Sequence, residues 1–259
     1  MKLTFLGTGT SFGVPQLGCH CAVCRSTDPR DKRTRVGALV ESDGGTVILI
    51  DTPPELRLQL LAAGVERLDA VLYTHDHADH TNGIDDLRAF TSRQSAPLPI
   101  YGPAETLAGL SERFRYIFDD SIEPPPGTSK PKGTAIVIDE GQPVTIGDLE
   151  IRPVRVPHGS TIVFGYRIGP LAYVTDAKAI PATAMATLRG ADTLVINALF
   201  RTYHPTHLSI PEALAAAREI GARHTYLTHL THNISHADLA AELPEGVMPA
   251  YDGLSVDLG

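Results

Sequence analysis

The sequence predicts a mixed α/β fold in which two β-sheets pack face to face with helices on the outside. Two observations carry this expectation. Short apolar runs rich in β-branched residues recur between turn signals, and amphipathic helical stretches are interspersed so that each half of the chain reads as several strands followed by helices. In order, the strand candidates are KLTFLG, GALVES, TVILID, AVLYT and PLPIYG in the first half, then AIVID, EIRPVRV, IVFGYRI, LAYVT, TLVIN and TYLTH. The helical candidates are residues 55–63, 104–116, 181–188 and 211–220, two of them with proline in or near the first turn, where its missing N–H costs nothing. No internal repeat is visible residue by residue. Residues 119–133, with three consecutive prolines and two lysines, read as an exposed irregular loop that covers a site or joins the halves.

Composition narrows the function classes. With 259 residues, 42% apolar and 20% charged, the chain can bury a large core, and one domain spanning 1–259 is expected. A formal charge of −8 argues against stable nucleic-acid binding through a broad phosphate-neutralising surface. A small anionic substrate stays compatible if metal ions supply the positive charge. The opening MKLTFLGTGTSFGVP lacks a signal-peptide core, and no run reaches the roughly 18 apolar residues of a membrane span, so a cytoplasmic protein without membrane contact is expected.

The chemistry concentrates in Thr74-His75-Asp76-His77-Ala78-Asp79-His80, directly behind the apolar run AVLY. Three imidazoles and two carboxylates at one strand end put many metal-competent ligands on a loop whose turning backbone can aim them at one point. This H-x-H-x-D-H pattern resembles the signature of the metallo-β-lactamase superfamily. The resemblance implies an αββα four-layer sandwich and two divalent ions, Mn or Zn. On that pattern His75 and His77 join a later His at the first ion, and Asp79 and His80 join another later His at the second, while Asp76 is no ligand. The later positions follow strands in the family's order: His158 behind EIRPVRVP completes the first site, His229 behind TYLT the second, and Asp176 behind LAYVT bridges both. Asp51, closing VILID, matches the acidic residue that orients the His-rich loop without touching metal. An N-cap for the helix starting near Pro53 is compatible with that role.

Two ions roughly 3.5 to 4 Å apart suit hydrolysis of phosphodiesters, thioesters or lactams alike, so another feature must select the substrate. Cys19, Cys21 and Cys24 are the only cysteines, an odd cluster better suited to one tetrahedral zinc ion than to disulfides. A fourth ligand is needed: His232, three residues beyond His229, is the first candidate, with His20 and His236 weaker ones.

The opening LGTGTSFGVPQLGCHCAVC, THDHADH, VPHG, VTDAK and TYLTHLTH together resemble the PhnP family, phosphoribosyl cyclic phosphodiesterases of the carbon-phosphorus lyase pathway, over nearly the whole chain. The Cys-rich opening also resembles PqqB, a cofactor-biosynthesis family. In superfamily phosphodiesterases a His in an H-x-S setting ahead of a helix is the proposed proton donor, and His207 in THLSIPEALAAA matches it; His204 is read as a bystander. A ribonuclease Z is not expected, since no long basic insertion is present. Arg57, Arg88 and Arg93 could each contact phosphate, and nothing in the sequence selects among them. The resemblance implies a phosphodiesterase acting on a small cyclic ribose phosphate, with 2',3'-cyclic nucleotides as secondary substrates. A hydroxide bridging two ions attacks phosphorus, with Asp176 and His207 as the catalytic residues. A homodimer is implied on the same ground. A thioester or lactone hydrolase and a PqqB-like carrier are the rival readings.

Overall fold

The computed structural model describes all residues from 1 to 259. Strands β1 (Lys2–Gly7), β2 (Gly37–Glu41), β3 (Val47–Ile50), β4 (Ala70–Leu72), β5 (Leu98–Gly102) and β6 (Gly133–Val137) lie side by side in one sheet. Strands β7 (Val144–Ile146), β8 (Leu149–His158), β9 (Thr161–Ile168), β10 (Leu171–Val174), β11 (Thr193–Asn197), β12 (His224–Thr228) and β13 (Val247–Pro249) form a second. The last strand, β14 (Ser255–Asp257), returns to the first sheet and pairs antiparallel with β1.

The two-residue period of a strand explains the layering. Along β2, β3 and β4, Ala38, Val40, Ile48, Ile50, Ala70 and Leu72 point toward the second sheet, whereas Leu39, Leu49 and Val71 point to helices on the opposite face. The second sheet alternates in the same way: Phe164, Tyr166, Leu171, Tyr173 and Val195 face the first sheet, and Val163, Ala172, Val174, Leu194 and Ile196 face outward. Three separate cores result, one between the sheets and one beneath each helical layer. Three apolar seams separate four layers, which is the αββα sandwich.

Each sheet begins with antiparallel strands and continues with parallel ones, β3 to β6 in the first and β10 to β13 in the second. The halves therefore share an architecture that residue-level comparison does not reveal. In open sheets of parallel strands, functional loops collect beyond the strands' carboxyl ends, and the ends of β3, β4, β8, β10 and β12 supply the site described below.

Helix boundaries differ from expectation in ways that have local causes. The stretch 104–116 is divided into Ala104–Arg113 and Arg115–Phe118, because Phe114 adopts φ −121° and ψ 41°. The helix expected from 211 starts at Ile210, where Ser209 and Glu212 form a reciprocal capping box, and Gly221 ends it at φ 77°. The three-residue strands β7, β13 and β14 were not expected, being too short to display an alternating pattern. Helices Arg88–Gln94 and His236–Glu242 were likewise not foreseen.

Candidate metal centre

The candidate ligands stand at or shortly beyond strand ends, His158 closing β8 and Asp79 and His80 lying in the short helix Ala78–Thr81, and some of these positions are strained. Asp51, Asp176 and His229 take φ of 62°, 57° and 57°, the left-handed region, and make up three of the four non-glycine residues found there. Such backbone costs about 1–3 kcal/mol per residue and persists only where surrounding contacts enforce it. Here it turns the side chains of separate strands inward toward one volume.

Two imidazoles from the His-rich loop meet at one end of that volume, His75 Nε2 lying 2.9 Å from His77 Nδ1. His75, His77 and His158 present ligand atoms all within 4.8 Å of one another. His158 donates from Nδ1 to the Thr206 carbonyl at 3.0 Å, which leaves Nε2 to face the cluster. A second triple joins His75, His80 and Asp176, and a third joins His158, Asp176 and His207. Asp79 and His229 stand at the margin of these triples. His229 Nε2 is 3.3 Å from Asp176 Oδ1, and Asp79 Oδ2 is 3.6 Å from His80 Nε2. Asp176 thus touches both ends: His80 approaches Oδ2 at 3.2 Å and His207 approaches Oδ1 at 2.9 Å. Asp76 turns away, within 3.8 Å of the Arg113 guanidinium.

Behind the ligands lies a buried support. Asp51 is fully buried and accepts from the Thr74 N–H at 2.9 Å, the Thr74 hydroxyl at 2.8 Å and His80 Nδ1 at 2.7 Å. It therefore orients His80 from outside the cluster and leaves Nε2 as the free donor. It does not cap the following helix, whose N-cap is Glu55. The two loops are also joined through the backbone, Thr52 N–H donating to the His80 carbonyl at 2.7 Å.

The electrostatics suit a cation. Burial pushes the imidazoles of His75 and His158 below their usual pKa and takes His229 to about 4, so all three keep the neutral form that has a lone pair to give. Burial also disfavours a charged His80, but the carboxylates of Asp176 and Asp51 outweigh it and hold that pKa well above the usual value. Against the cost of burial, His229, His80 and His207 hold Asp176 well below the ordinary carboxylate range. A buried anion with imidazole nitrogens converging on it is the donor set that divalent ions take.

The cysteine cluster forms a second, separate cage. His232 Nδ1 lies 3.3 Å from the Cys19 sulfur and 3.4 Å from those of Cys21 and Cys24. One nitrogen cannot hydrogen-bond three thiols at once, and a tetrahedron with ordinary zinc bond lengths has N···S edges of about 3.5 Å. The Cys24 N–H, with weaker help from His232, lowers the Cys21 pKa to about 6, whereas burial raises Cys24 to about 11. His20 and His236 take no part: His236 is buried beside Tyr251, with ring centroids 5.5 Å apart. The three sulfurs come from residues 19–24 and His232 follows His229 on one segment, so the two clusters are tied together.

Arg57, Arg88 and Arg93 share a cavity that contains none of these ligands. The threonines were missed. Thr74 binds Asp51, the Thr175 hydroxyl donates to Asp176 Oδ2 at 2.7 Å, and that of Thr206 lies 2.8 Å from His207 Nδ1. The signal was present, since Thr precedes His75, Asp176, His207 and His229 alike.

Residues 46–230 match the family described as the Beta-lactamase superfamily domain. The chain belongs to that superfamily. Within the metallo-β-lactamase superfamily it resembles the PhnP family: a crystal structure described as a new diphosphatase from that family superposes with a TM-score of 0.90 and 38% identity, covering 100% of this chain and 98% of the other. A protein named octanoyltransferase from Porphyromonas gingivalis (strain ATCC BAA-308 / W83) is 41% identical over 98% of this chain, which spans about half (51%) of that relative's length. The zinc-bound PqqB of Methylobacterium extorquens shares the fold, with a TM-score of 0.79 at 20% identity and full coverage of both chains. The fold and the family resemblance are those of metal-dependent hydrolases. No helix is long and apolar enough to cross a membrane.

If Asp51 is the hub just described, Asp51→Ala strands three buried donors. The substitution should lower the unfolding free energy of the metal-stripped protein by roughly 2–5 kcal/mol, at about 1–3 kcal/mol for each unsatisfied group after partial relaxation. Urea denaturation measures it, and a loss under 1 kcal/mol would show that Asp51 holds nothing in place.

Proposed function

We propose that this chain, acting as one hydrolase unit over residues 1–259, is a phosphodiesterase for a small cyclic ribose phosphate such as a 5-phosphoribosyl 1,2-cyclic phosphate, with 2',3'-cyclic nucleotides in the same class. In this reading His75, His77 and His158 hold one divalent ion, Asp79, His80 and His229 hold another, Asp176 joins them, and Cys19, Cys21, Cys24 and His232 hold a structural zinc ion. Manganese or zinc suits the His/Asp set, whereas thiolates favour zinc. Divalent ions bound there supply Lewis acidity that activates water and offsets phosphoryl charge.

The observation that carries the choice of substrate is the setting of His207. Its Nε2 lies 2.9 Å from Asp176 Oδ1, and its Nδ1 lies 2.8 Å from the Thr206 hydroxyl. The Asp176 carboxylate can only accept, so Nε2 carries a proton that points into the ligand cluster, and in the imidazolium Nδ1–H donates to the Thr206 hydroxyl. A sugar alkoxide leaves poorly unless protonated. Water oxygen bonds to phosphorus, the bond from phosphorus to the sugar oxygen breaks as that oxygen takes the Nε2 proton of a doubly protonated His207, and the proton that water gives up restores the imidazolium. Thr206 keeps the ring aimed by holding the opposite nitrogen. The Thr206 carbonyl in turn holds His158, so one short loop positions a proton donor and a ligand together.

A second reading has its own support, the likeness to a PhnP-family diphosphatase. Cleavage of a diphosphate releases a phosphate, which departs with little help from a proton donor. The octanoyltransferase name belongs to a relative about twice as long and favours no acyl chemistry in the part aligned here. Turnover of bis-p-nitrophenyl phosphate would reject a PqqB-like carrier and a thioester or lactone specialist.

His207→Ala tests the proton-donor role that supports the choice of substrate. With a cyclic ribose phosphate, kcat should fall by roughly 10² to 10⁴, the range for a lost acid-base group, at unchanged metal content. With bis-p-nitrophenyl phosphate, whose nitrophenolate needs little protonation, the loss should be much smaller. Steady-state kinetics on both substrates gives the ratio of losses, and equal losses would mean that His207 positions phosphate without donating a proton.

A further inference from the structure

Apart from the metal centre, a cavity of about 430 Å³ lies between the helices Leu56–Ala62 and Arg88–Gln94. That volume lies within the range of small-molecule sites, roughly 300–1,000 Å³. One wall is apolar, built by Leu60, Leu61, Val65, Ala89 and Phe90. Leu61 is 64% exposed there, a large aliphatic side chain left open beside the cavity.

The charges on the opposite wall are unequal in kind. Arg88 is fully engaged, with its guanidinium 2.8 Å from both oxygens of Asp85 and also donating to the Ser129 carbonyl. Asp85 is further satisfied by the Tyr116 hydroxyl at 2.6 Å. Arg57 and Arg93 are different: each lines the cavity and neither guanidinium makes an ion pair or hydrogen bond, Arg93 resting instead over the Phe90 ring at 5.5 Å. Asp86 is the one carboxylate left to face these two cations, so the wall carries a net positive charge. Two unpaired guanidiniums beside an apolar wall fit a ligand with one compact anionic end and one apolar end.

We infer that this cavity is a binding site for a small amphiphilic anion, with a phosphate or carboxylate head held by Arg57 and Arg93 and a short apolar body against Leu60, Leu61 and Phe90. No metal ligand lines it, so its occupant is not the substrate of the metal centre. The site is nonetheless tied to that centre. Arg57 lies on the element that follows Asp51, and Asp85 and Asp86 on the turn that follows His80, the two residues joined by the 2.7 Å hydrogen bond described above. The irregular loop 119–133 finds its place here as well, since Ser129 forms part of the cavity rim. The assignment stands apart from the phosphodiesterase reading, and neither depends on the other.

Calorimetric titration of the metal-loaded protein with hexyl phosphate, octanoate and inorganic phosphate tests it, alongside an Arg57→Gln, Arg93→Gln double variant. At least one of the two amphiphiles should bind with one-to-one stoichiometry at least tenfold more tightly than inorganic phosphate, and which of them binds tells a phosphate head from a carboxylate head. The double variant should weaken that binding by about tenfold or more, as expected for charge-assisted hydrogen bonds, while hydrolysing bis-p-nitrophenyl phosphate at the parent rate. Failure of both amphiphiles to bind, an affinity no better than that of inorganic phosphate, or undiminished binding by the double variant would overturn the assignment.

Discussion

Everything at the working end of this molecule depends on a buried carboxylate that cannot stay uncompensated. Asp176 is enclosed at the end of β10, and its two oxygens are met by imidazoles from three other loops: His80, His207 and His229. An isolated ion at that depth would be prohibitively unstable. The fold answers by bringing nitrogen donors from both sheets to the same carboxylate, and the strained backbone at Asp51, Asp176 and His229 shows how firmly the surrounding layers enforce the convergence. The sandwich fixes the distance between the halves, and the carboxylate defines where they must meet.

The supports extend outward in layers of decreasing charge. Asp51 grips His80 and Thr74, Thr206 grips His207 and His158, and the cage around His232 anchors the segment that carries His229. His75 Nε2 and His77 Nδ1, 2.9 Å apart, can share one proton in a hydrogen bond, so metal binding there would replace that proton. The same geometry serves hydrolysis of several bond types, which is why family membership alone does not settle the substrate. In the proposed reading His207 is the feature that discriminates, through the leaving group it would assist.

The parts of this account legible in the sequence are those where chemistry is dense over a short span. His75, His77, Asp79 and His80 fall within six positions, and the three cysteines likewise, so both clusters stood out before any coordinates. His158, Asp176 and His229 were picked out because each stands at or just behind a strand end, in the order the family resemblance supplied, and His232 because it lies three residues beyond His229. What stayed hidden depends on packing. Phe114 breaks a helix through its own backbone angles, and β7, β13 and β14 are too short to show a period. His204, dismissed as a bystander, comes within 3.4 Å of His207 Nδ1, a proximity that only the folded loop creates. Arg57, Arg88 and Arg93 were equivalent candidates for phosphate contact until helix packing gathered them in one cavity away from the ligands.

In the proposed reading the buried His/Asp cluster and the Cys/His232 cage are two distinct metal centres, each with its own donor set. The most direct measurement is metal content by inductively coupled plasma mass spectrometry on the parent protein, on Asp176→Ala and on a Cys21→Ala, Cys24→Ala double variant. The account predicts three ions per parent chain, loss of manganese or zinc from the His/Asp set with the thiolate-bound zinc retained in Asp176→Ala, and loss of about one zinc ion in the cysteine variant. A parent protein that carries no metal after reconstitution with zinc and manganese, or an Asp176→Ala variant with undiminished content, would contradict it.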